Sequence, residues 1–398
     1  MSYAELFLKK NEDRRLRQGH VWVFSNEVDT QRSALEQFTP GQVVLVNDHA
    51  GKCLGVAYVN PHALICARLL SRKPNTKLGE NFFKARITEA LQLRERWFDK
   101  PYYRLVFSES DGLPGLVIDR FGGVLSVQIT TAGMELHKQV IVDVLVKLLN
   151  PDAVLLKNDN SQRQLEALSL ENELAYGQMP EQLIIEENNA RFIINVADGQ
   201  KTGWFYDHRE NRAQFARSVS GLKVLDLFSY AGGWGIPAAL AGAAEVTCVD
   251  SSDSALDLAA QSAALNGVAD KMQFIRSDVF DFLKQQREQN VHYDAIVLDP
   301  PALIKRKKDF KAGYEAYRRL NQLAIQVLSN QGILVSASCS YHLTRENLHE
   351  ILRSASRHID RHLVFVGSGG QGADHPILPA LPESEYLKSF VCAVSSRF

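Results

Sequence analysis

From Leu222 onward the chain alternates short apolar runs (KVLDLF, EVTCVD, MQFI, YDAIVLD, ILVSAS) with helical stretches. Strand and helix in regular alternation require a parallel sheet covered by helices on both faces, and this constrains the fold more than any other feature. The clearest helix starts near Ser252 or Asp253, whose side chains can accept hydrogen bonds from unpaired backbone N–H groups, and it stops at Gly267. Leu256, Ala259, Ala260 and Ala263 then form one apolar stripe, as a helix lying on a sheet needs. The expected fold class is α/β, with a C-terminal doubly wound, Rossmann-like sheet.

Ahead of that sheet the pattern differs. Residues 1–72 are short β-like runs (GQVVLVNDHAG, KCLGVAYVN, ALICARLL) broken at Gly41, Asn47, Asp48, Gly51 and Pro61, a small β-rich module. A polar stretch with Pro74 and Gly79 precedes a helical pattern through Phe83, Ile87, Leu91 and Leu93. Strands and helices then mix, with a helix near 134–149 and the pair LIIEENNARFIINV around an Asn-Asn turn. Three domains are expected: 1–72 β-rich, 73–190 a small central α/β domain, and 191–398 the doubly wound domain. No apolar run approaches the roughly 18 residues of a membrane span and no signal peptide opens the chain, so a cytoplasmic protein is expected. The 5 cysteines lack the spacing of a zinc site, and no metal is expected.

The first strand of the doubly wound part ends in VLDLFSYAGGWGIPAA, a glycine turn joining strand to helix where such sheets bind nucleotides. Gly233, Gly235 and Ala238 satisfy GxGxxA, which suits an adenosyl cofactor or a dinucleotide equally, and tight packing alone would also call for glycine. Asp250, Asp278 and Asp299 fall at or just beyond the ends of later strands, and all such ends share one edge of a parallel sheet. A carboxylate after the second strand can take both ribose hydroxyls, and a polar residue after the third can meet the adenine amino group. Each could instead cap a helix, Asp278 most readily.

DPPA (Asp299 to Ala302) carries two prolines that stiffen the turn and hold Asp299 at the cleft, where a rigid acceptor suits a planar base. The next strand, GILVSASCSYH, places Cys339 just past its end at the same edge, so Cys339 and Asp299 should face one pocket. Cys53, Cys66, Cys248 and Cys392 sit inside apolar strand patterns and read as small core residues, whereas Cys339 lies between serines where a thiolate is plausible. A thiolate adding to C6 of cytosine would turn C5 into an enamine-like carbon able to take a sulfonium methyl group. Loss of the C5 proton would then expel the cysteine, a covalent catalysis.

At these residues the chain resembles the class I S-adenosylmethionine-dependent RNA cytosine-5 methyltransferases that carry an N-terminal PUA module, including the bacterial 23S ribosomal RNA enzymes. The resemblance runs through QGHVWVFSNEV, ESDGLPGLVIDRFG, DGQKTGWFYDHRENR, LDLFSYAGGWG, DPPALIK, SCSYH and ADHPILPALPESEYLKSFVCAV. It implies S-adenosyl-L-methionine as cofactor, contacted around Asp226, Phe228, Ser229 and Gly232, with Asp250 at its ribose and Asp278 by its adenine. It also implies a lid over cofactor and base from Lys201, Thr202, Gly203, Phe205, Asp207 and Arg209, and Cys339 as nucleophile beside Asp299. One departure stands out: where another branch of these enzymes has a second cysteine after the DPP-like motif, this chain has Pro301 and Ala302, so some other group must take the C5 proton. Guanine-N methylation and a non-catalytic ribosome-assembly role are the alternatives.

The net charge of −1 argues against a strongly basic nucleic-acid protein, but it is an average over the chain. Residues 1–72 hold 9 basic and 7 acidic groups, 73–190 hold 13 and 17, and 191–398 hold 23 and 22. Positive charge gathers in KKNEDRRLRQGH, with Arg14 and Arg15, and in IKRKKDFK directly after DPPA, with Lys305, Arg306 and Lys307. With Lys201, Arg209 and Pro300 these are the expected contacts to RNA phosphates and base, the target being large-subunit ribosomal RNA. The cytosine must be flipped or unpaired to expose both faces of its ring. A homodimer is left open.

Overall fold

A computed structural model describes residues 3–197 and 202–396. The chain divides into two compact units. Unit 1 holds residues 1–181, Asn195–Phe205 and Ala373–Ser384; unit 2 holds Gln182–Ile194, Tyr206–Gly372 and the C-terminal residues from Glu385.

Unit 1 contains two five-stranded sheets. The first pairs Ala4–Phe7, Gln42–Asn47, Cys53–Val59, Ile65–Ser71 and Trp22–Phe24 in that spatial order, around a core including Leu6, Leu8, Val23, Val44, Val46 and Leu69. The second runs Glu171–Gly177, Ala153–Asn158, Val124–Ile129, Leu116–Phe121, Tyr102–Phe107, with helices Glu80–Glu95 and Lys138–Leu149. In the first helix the buried face is Phe83, Ile87, Ala90 and Arg94, while Leu93 is 37% exposed. The expected apolar stripe is therefore displaced by one residue at its end, because Arg94 has a dedicated acceptor set inside the unit. Its Nη1 and Nη2 lie 2.6 and 2.7 Å from the two Asp111 oxygens, Nε donates to Arg104 O at 2.9 Å, and Nη2 also donates to Asp374 O at 2.9 Å.

Unit 2 opens with the hairpin Leu183–Glu187 and Ala190–Ile194. Asn188 and Asn189 take left-handed φ values of 53° and 63°, the turn geometry that Asn tolerates and that matches strand twist. The expected domain boundary after residue 190 falls inside this hairpin.

The rest of unit 2 is one seven-stranded sheet. Its strands are β1 (Lys223–Leu227), β2 (Glu245–Asp250), β3 (Met272–Arg276), β4 (Tyr293–Leu298), β5 (Leu328–Ser338), β6 (His362–Gly369) and β7 (Lys388–Ser395). The order is β3-β2-β1-β4-β5-β7-β6, with β7 antiparallel to both its neighbours and the other pairs parallel. Its helices are α1 (Arg209–Ala216), α2 (Gly235–Leu240), α3 (Asp253–Leu265), α4 (Val279–Glu288), α5 (Phe310–Gln326) and α6 (Arg345–His358). As expected from sequence, α3 begins where Ser252 Oγ accepts from Ala255 N, and the chain leaves it through Gly267 at φ 69°. The order reverses between β1 and β4, the switch point at which an open sheet leaves a crevice beyond its strand ends.

Candidate active site

Beyond β1 the chain passes through two non-glycine residues in the left-handed region, Phe228 at φ 61° and Tyr230 at φ 47°, then Gly232 at φ 78°. At the two non-glycine residues such conformations cost about 1 kcal/mol or more each and persist only where the surroundings over-determine them, whereas glycine adopts them freely. Here the holding groups are visible. Ser229 N donates to Val249 O at 3.1 Å, Gly232 N to Ser229 O at 2.9 Å, Tyr230 N to Asp250 Oδ2 at 2.9 Å, and Gly235 N to Asp226 Oδ2 at 2.9 Å. Gly235 has no alternative: a Cβ there would lie 2.7 Å from Cys248 Sγ and 3.2 Å from Asp226 Oδ2. The glycine match in the sequence thus serves close packing of α2 on β2 as well as the turn itself.

Asp250 is half-buried at the end of β2; its other oxygen accepts from Ser252 N at 2.9 Å. Asp278 is exposed two residues past β3, and its Oδ1 accepts from Phe280 N and Asp281 N, capping α4. A turn held in left-handed conformations at Phe228, Tyr230 and Gly232, followed by a half-buried carboxylate at the second strand end, fits an adenosyl cofactor: Phe228 to Gly232 would line it and Asp250 would take its ribose hydroxyls.

Asp226 is fully buried, and its Oδ1 has no hydrogen-bond partner among the described residues. Burial pushes its carboxyl up to about 8, against the Gly235 N–H, which favours the ionised form. The folded state therefore binds this proton more tightly than the unfolded chain, where an Asp titrates near about 3.9. The stability this contributes is complete below about pH 4 and is lost as pH rises through about 8. Asp226→Asn, whose amide oxygen can still accept from Gly235, should gain on the wild type progressively between pH 5 and 9, by a few kcal/mol at the top of that range. Urea unfolding at pH 5, 7 and 9 measures this, and parallel pH dependences for the two proteins would contradict it.

Asp299, just past β4, sits in a clamp. Trp234 Nε1 donates to its Oδ2 at 3.0 Å, and His208 Nε2 lies 3.1 Å from its Oδ1, an electrostatic contact that is off the line of a hydrogen bond. On the other side of the ring, Asn211 Nδ2 lies 3.0 Å from His208 Nδ1 and fixes its orientation. Burial would raise the Asp299 carboxyl, but His208, Trp234 and the Arg212 cation outweigh it and hold the group below the usual carboxylate range. The rigid acceptor read from DPPA is thus an ionised one.

Across the edge, β4 and β5 are parallel neighbours, and Cys339 Sγ lies 3.9 Å from Pro300 O. Cys339 is half-buried, whereas Cys66, Cys248 and Cys392 are buried in strands and Cys53 is half-buried at the start of one. Its loop is pinned by hydroxyls: Ser338 Oγ donates to Tyr317 Oη at 2.9 Å, Tyr317 Oη and Ser340 Oγ are 3.0 Å apart, and Ile304 N donates to Ser340 Oγ at 3.1 Å.

Residues 6–72 match the family model of PUA-like domains, and residues 162–363 match that of S-adenosylmethionine-dependent methyltransferases. A ribosomal RNA large subunit methyltransferase I from Cronobacter sakazakii is 36% identical over 397 residues, 98% of this chain and 99% of the relative. The chain belongs to this methyltransferase family. Another relative of the same name, from Escherichia coli O139:H28, is 34% identical over 98% of this chain and 99% of its own. Among solved structures, a methyltransferase complexed with SAH superposes with a TM-score of 0.85 at 23% identity, covering 98% of this chain and all of the other. A SAM-dependent methyltransferase from Streptococcus mutans gives 0.83 at 22% identity, with 98% and 100% coverage. With the two family models, these superpositions establish the fold: an N-terminal PUA-like domain and a C-terminal class I methyltransferase sheet. The cofactor of the family is S-adenosylmethionine.

The other expected site residues are distributed as follows. Lys201 lies outside the described residues, and Thr202 and Phe205 belong to unit 1. Arg209 and Arg212 both reach the buried Glu187 of the hairpin, at 3.5 and 2.8 Å. Lys305, Arg306 and Lys307 are exposed, Arg306 pairing with Asp309 at 2.9 Å. In the N-terminal run Arg14 is exposed, while Arg15 pairs with Glu27 and Arg17 with Asp13 and Asp48. Sequence reasoning passed over His208, Trp234, Asn211 and Tyr386. The last donates to Asp207 Oδ2 at 2.6 Å. Trp234 was legible only as part of a glycine turn, and nothing in the spacing connects it or His208 to an aspartate so far along the chain. No helix among the described residues is long and apolar enough to cross a membrane.

Proposed function

We propose that the protein methylates C5 of a cytosine in large-subunit ribosomal RNA, with Cys339 as the nucleophile. The observation that carries this reading is the pairing of two strand ends: a half-buried cysteine after β5, held by three hydroxyls, beside the ionised Asp299 and rigid prolines after β4. The relatives named as large subunit methyltransferases and the PUA-like domain support the RNA target, and with it a cytoplasmic place of action.

When bound, S-adenosylmethionine supplies an electrophilic sulfonium methyl group. Cys339 Sγ adds to C6 of the cytosine, its electron pair forming the C–S bond and the ring electrons moving to C5. After methylation the C5 proton leaves to a base, and the C–S bond breaks to return the thiolate. Asp299, ionised and fixed by Trp234 and His208, accepts a hydrogen bond from the base edge and orients the ring. The exposed Lys305, Arg306 and Lys307 and Arg14 contact phosphates. The test is to methylate large-subunit RNA with isotopically labelled cofactor, digest it to nucleosides and identify the labelled base. Label in 5-methylcytidine is expected; label in a guanosine would overturn the reading.

A further inference from the structure

Lys388 opens β7 and pairs in register with Ser338, the residue before Cys339. The residue is 6% exposed, and its Nζ donates to Ser340 O, the residue after Cys339, at 2.6 Å. The lysine thus bridges the two residues that flank the nucleophile. An ammonium carries three donors, and among the described residues Ser340 O is the single hydrogen-bond acceptor on this one. A buried cation with one neutral acceptor is expensive unless an anion stands beside it.

Among the described residues, the groups that face this pair come from four elements. Cys339 follows β5, Arg345 begins α6, Tyr317 lies on α5, and Glu385 precedes β7. Glu385 is exposed, so water screens it. Arg345 is a second cation, with one Nη donating to Gly369 O at 2.8 Å. Tyr317 is kept protonated by burial, and a charge on Cys339 pushes it the same way. The group left to balance Lys388 is the Cys339 sulfur.

We propose that Lys388 holds Cys339 as a thiolate, in an ammonium–thiolate pair built into the β5–β7 edge of the sheet. The Cys339 S–H bond breaks with its electron pair staying on sulfur, and the proton forms the third N–H bond of Lys388. Burial, opposed by the Cys339 charge, lowers the Lys388 ammonium to about 8, so the neutral amine that receives this proton is accessible near neutral pH. Lys388 is a positioning residue that acts through Cys339.

The inference rests on Cys339 being the nucleophile, and its test reads the thiol directly. Alkylation of Cys339 by iodoacetamide is followed against pH in the full chain, using the mass of the peptide that contains it. In the wild type the midpoint should fall below the ordinary thiol value of about 8.5. Lys388→Met, which fills the same space without charge, should raise the midpoint by at least about one unit, a roughly tenfold slower reaction at pH 7. Lys388→Arg should stay near the wild type.

A wild-type midpoint at or above 8.5, an unshifted midpoint in Lys388→Met, or an Arg variant as slow as the Met variant would overturn the pair. The first of these needs no variant, so loss of folding in Lys388→Met leaves the proposal open to refutation. A lowered midpoint in a protein that labels guanosine would refute the cytosine reading and leave the pair standing. Cytosine methylation with a lysine-independent midpoint would do the reverse.

Discussion

Cys339→Ala is expected to abolish methyl transfer, lowering the single-turnover rate by at least about 10³-fold, because in the proposed mechanism addition of the thiolate is what makes C5 nucleophilic. Binding of S-adenosylmethionine should persist in calorimetry, since the glycine turn held by Asp226 and Asp250 does not involve Cys339. Serine would be a poor rescue, its hydroxyl being far from ionised at neutral pH. The complementary measurement uses RNA with 5-fluorocytosine at the target. With fluorine in place of the departing C5 proton, the adduct cannot resolve, and the wild type should migrate as a stable protein–RNA complex that Cys339→Ala does not form. Turnover by Cys339→Ala within tenfold of the wild type would remove the covalent mechanism. Because three other cysteines are buried in strands, they cannot substitute for it without unfolding.

The largest effect on stability is expected in unit 1, from Arg94→Ala. The guanidinium is fully buried and makes bidentate contact with Asp111, which has a further backbone donor in Phe107 N at 2.6 Å. Removing the cation leaves the Asp111 carboxylate buried with little compensation, and takes a donor from the carbonyls of Arg104 and Asp374. The loss should be about 3–5 kcal/mol, as for other broken buried pairs, and the calorimetric transition of unit 1 should fall by roughly 10 °C. Arg94→Lys restores charge but not the planar fork and should recover only part of this. A loss below about 1 kcal/mol would mean that water or a neighbouring cation replaces Arg94.

Some of this was open to reading from the residues alone. Alternating apolar and helical runs required a parallel sheet, and the positions of Asp250, Asp299 and Cys339 at strand ends followed from that sheet without any coordinate. The α3 cap at Ser252 and the Asn188-Asn189 turn were legible because both depend on backbone conformation within a few residues.

What the sequence could not indicate shares one property: it depends on partners distant along the chain. Periodicity sees hydrophobic area, so it took Leu93 for core and missed Arg94, whose burial is repaid by Asp111 and Asp374. The ADHPILPALPESEYLKSF run reads as one motif, yet Asp374 serves unit 1 while Tyr386 and Lys388 serve unit 2. Charge runs likewise overstate free cations, since Arg15 and Arg17 are spent on acids brought near by folding. The sequence by itself determined the sheet, the edge and the residue types available for chemistry, because those follow from local pattern and strand polarity. The protonation states there, with Asp299 ionised, Asp226 held neutral to about pH 8 and Lys388 lodged beside Cys339, were decided only by tertiary structure. Desolvation and charge–charge energies depend on distance through space, and separation along the chain carries no record of it.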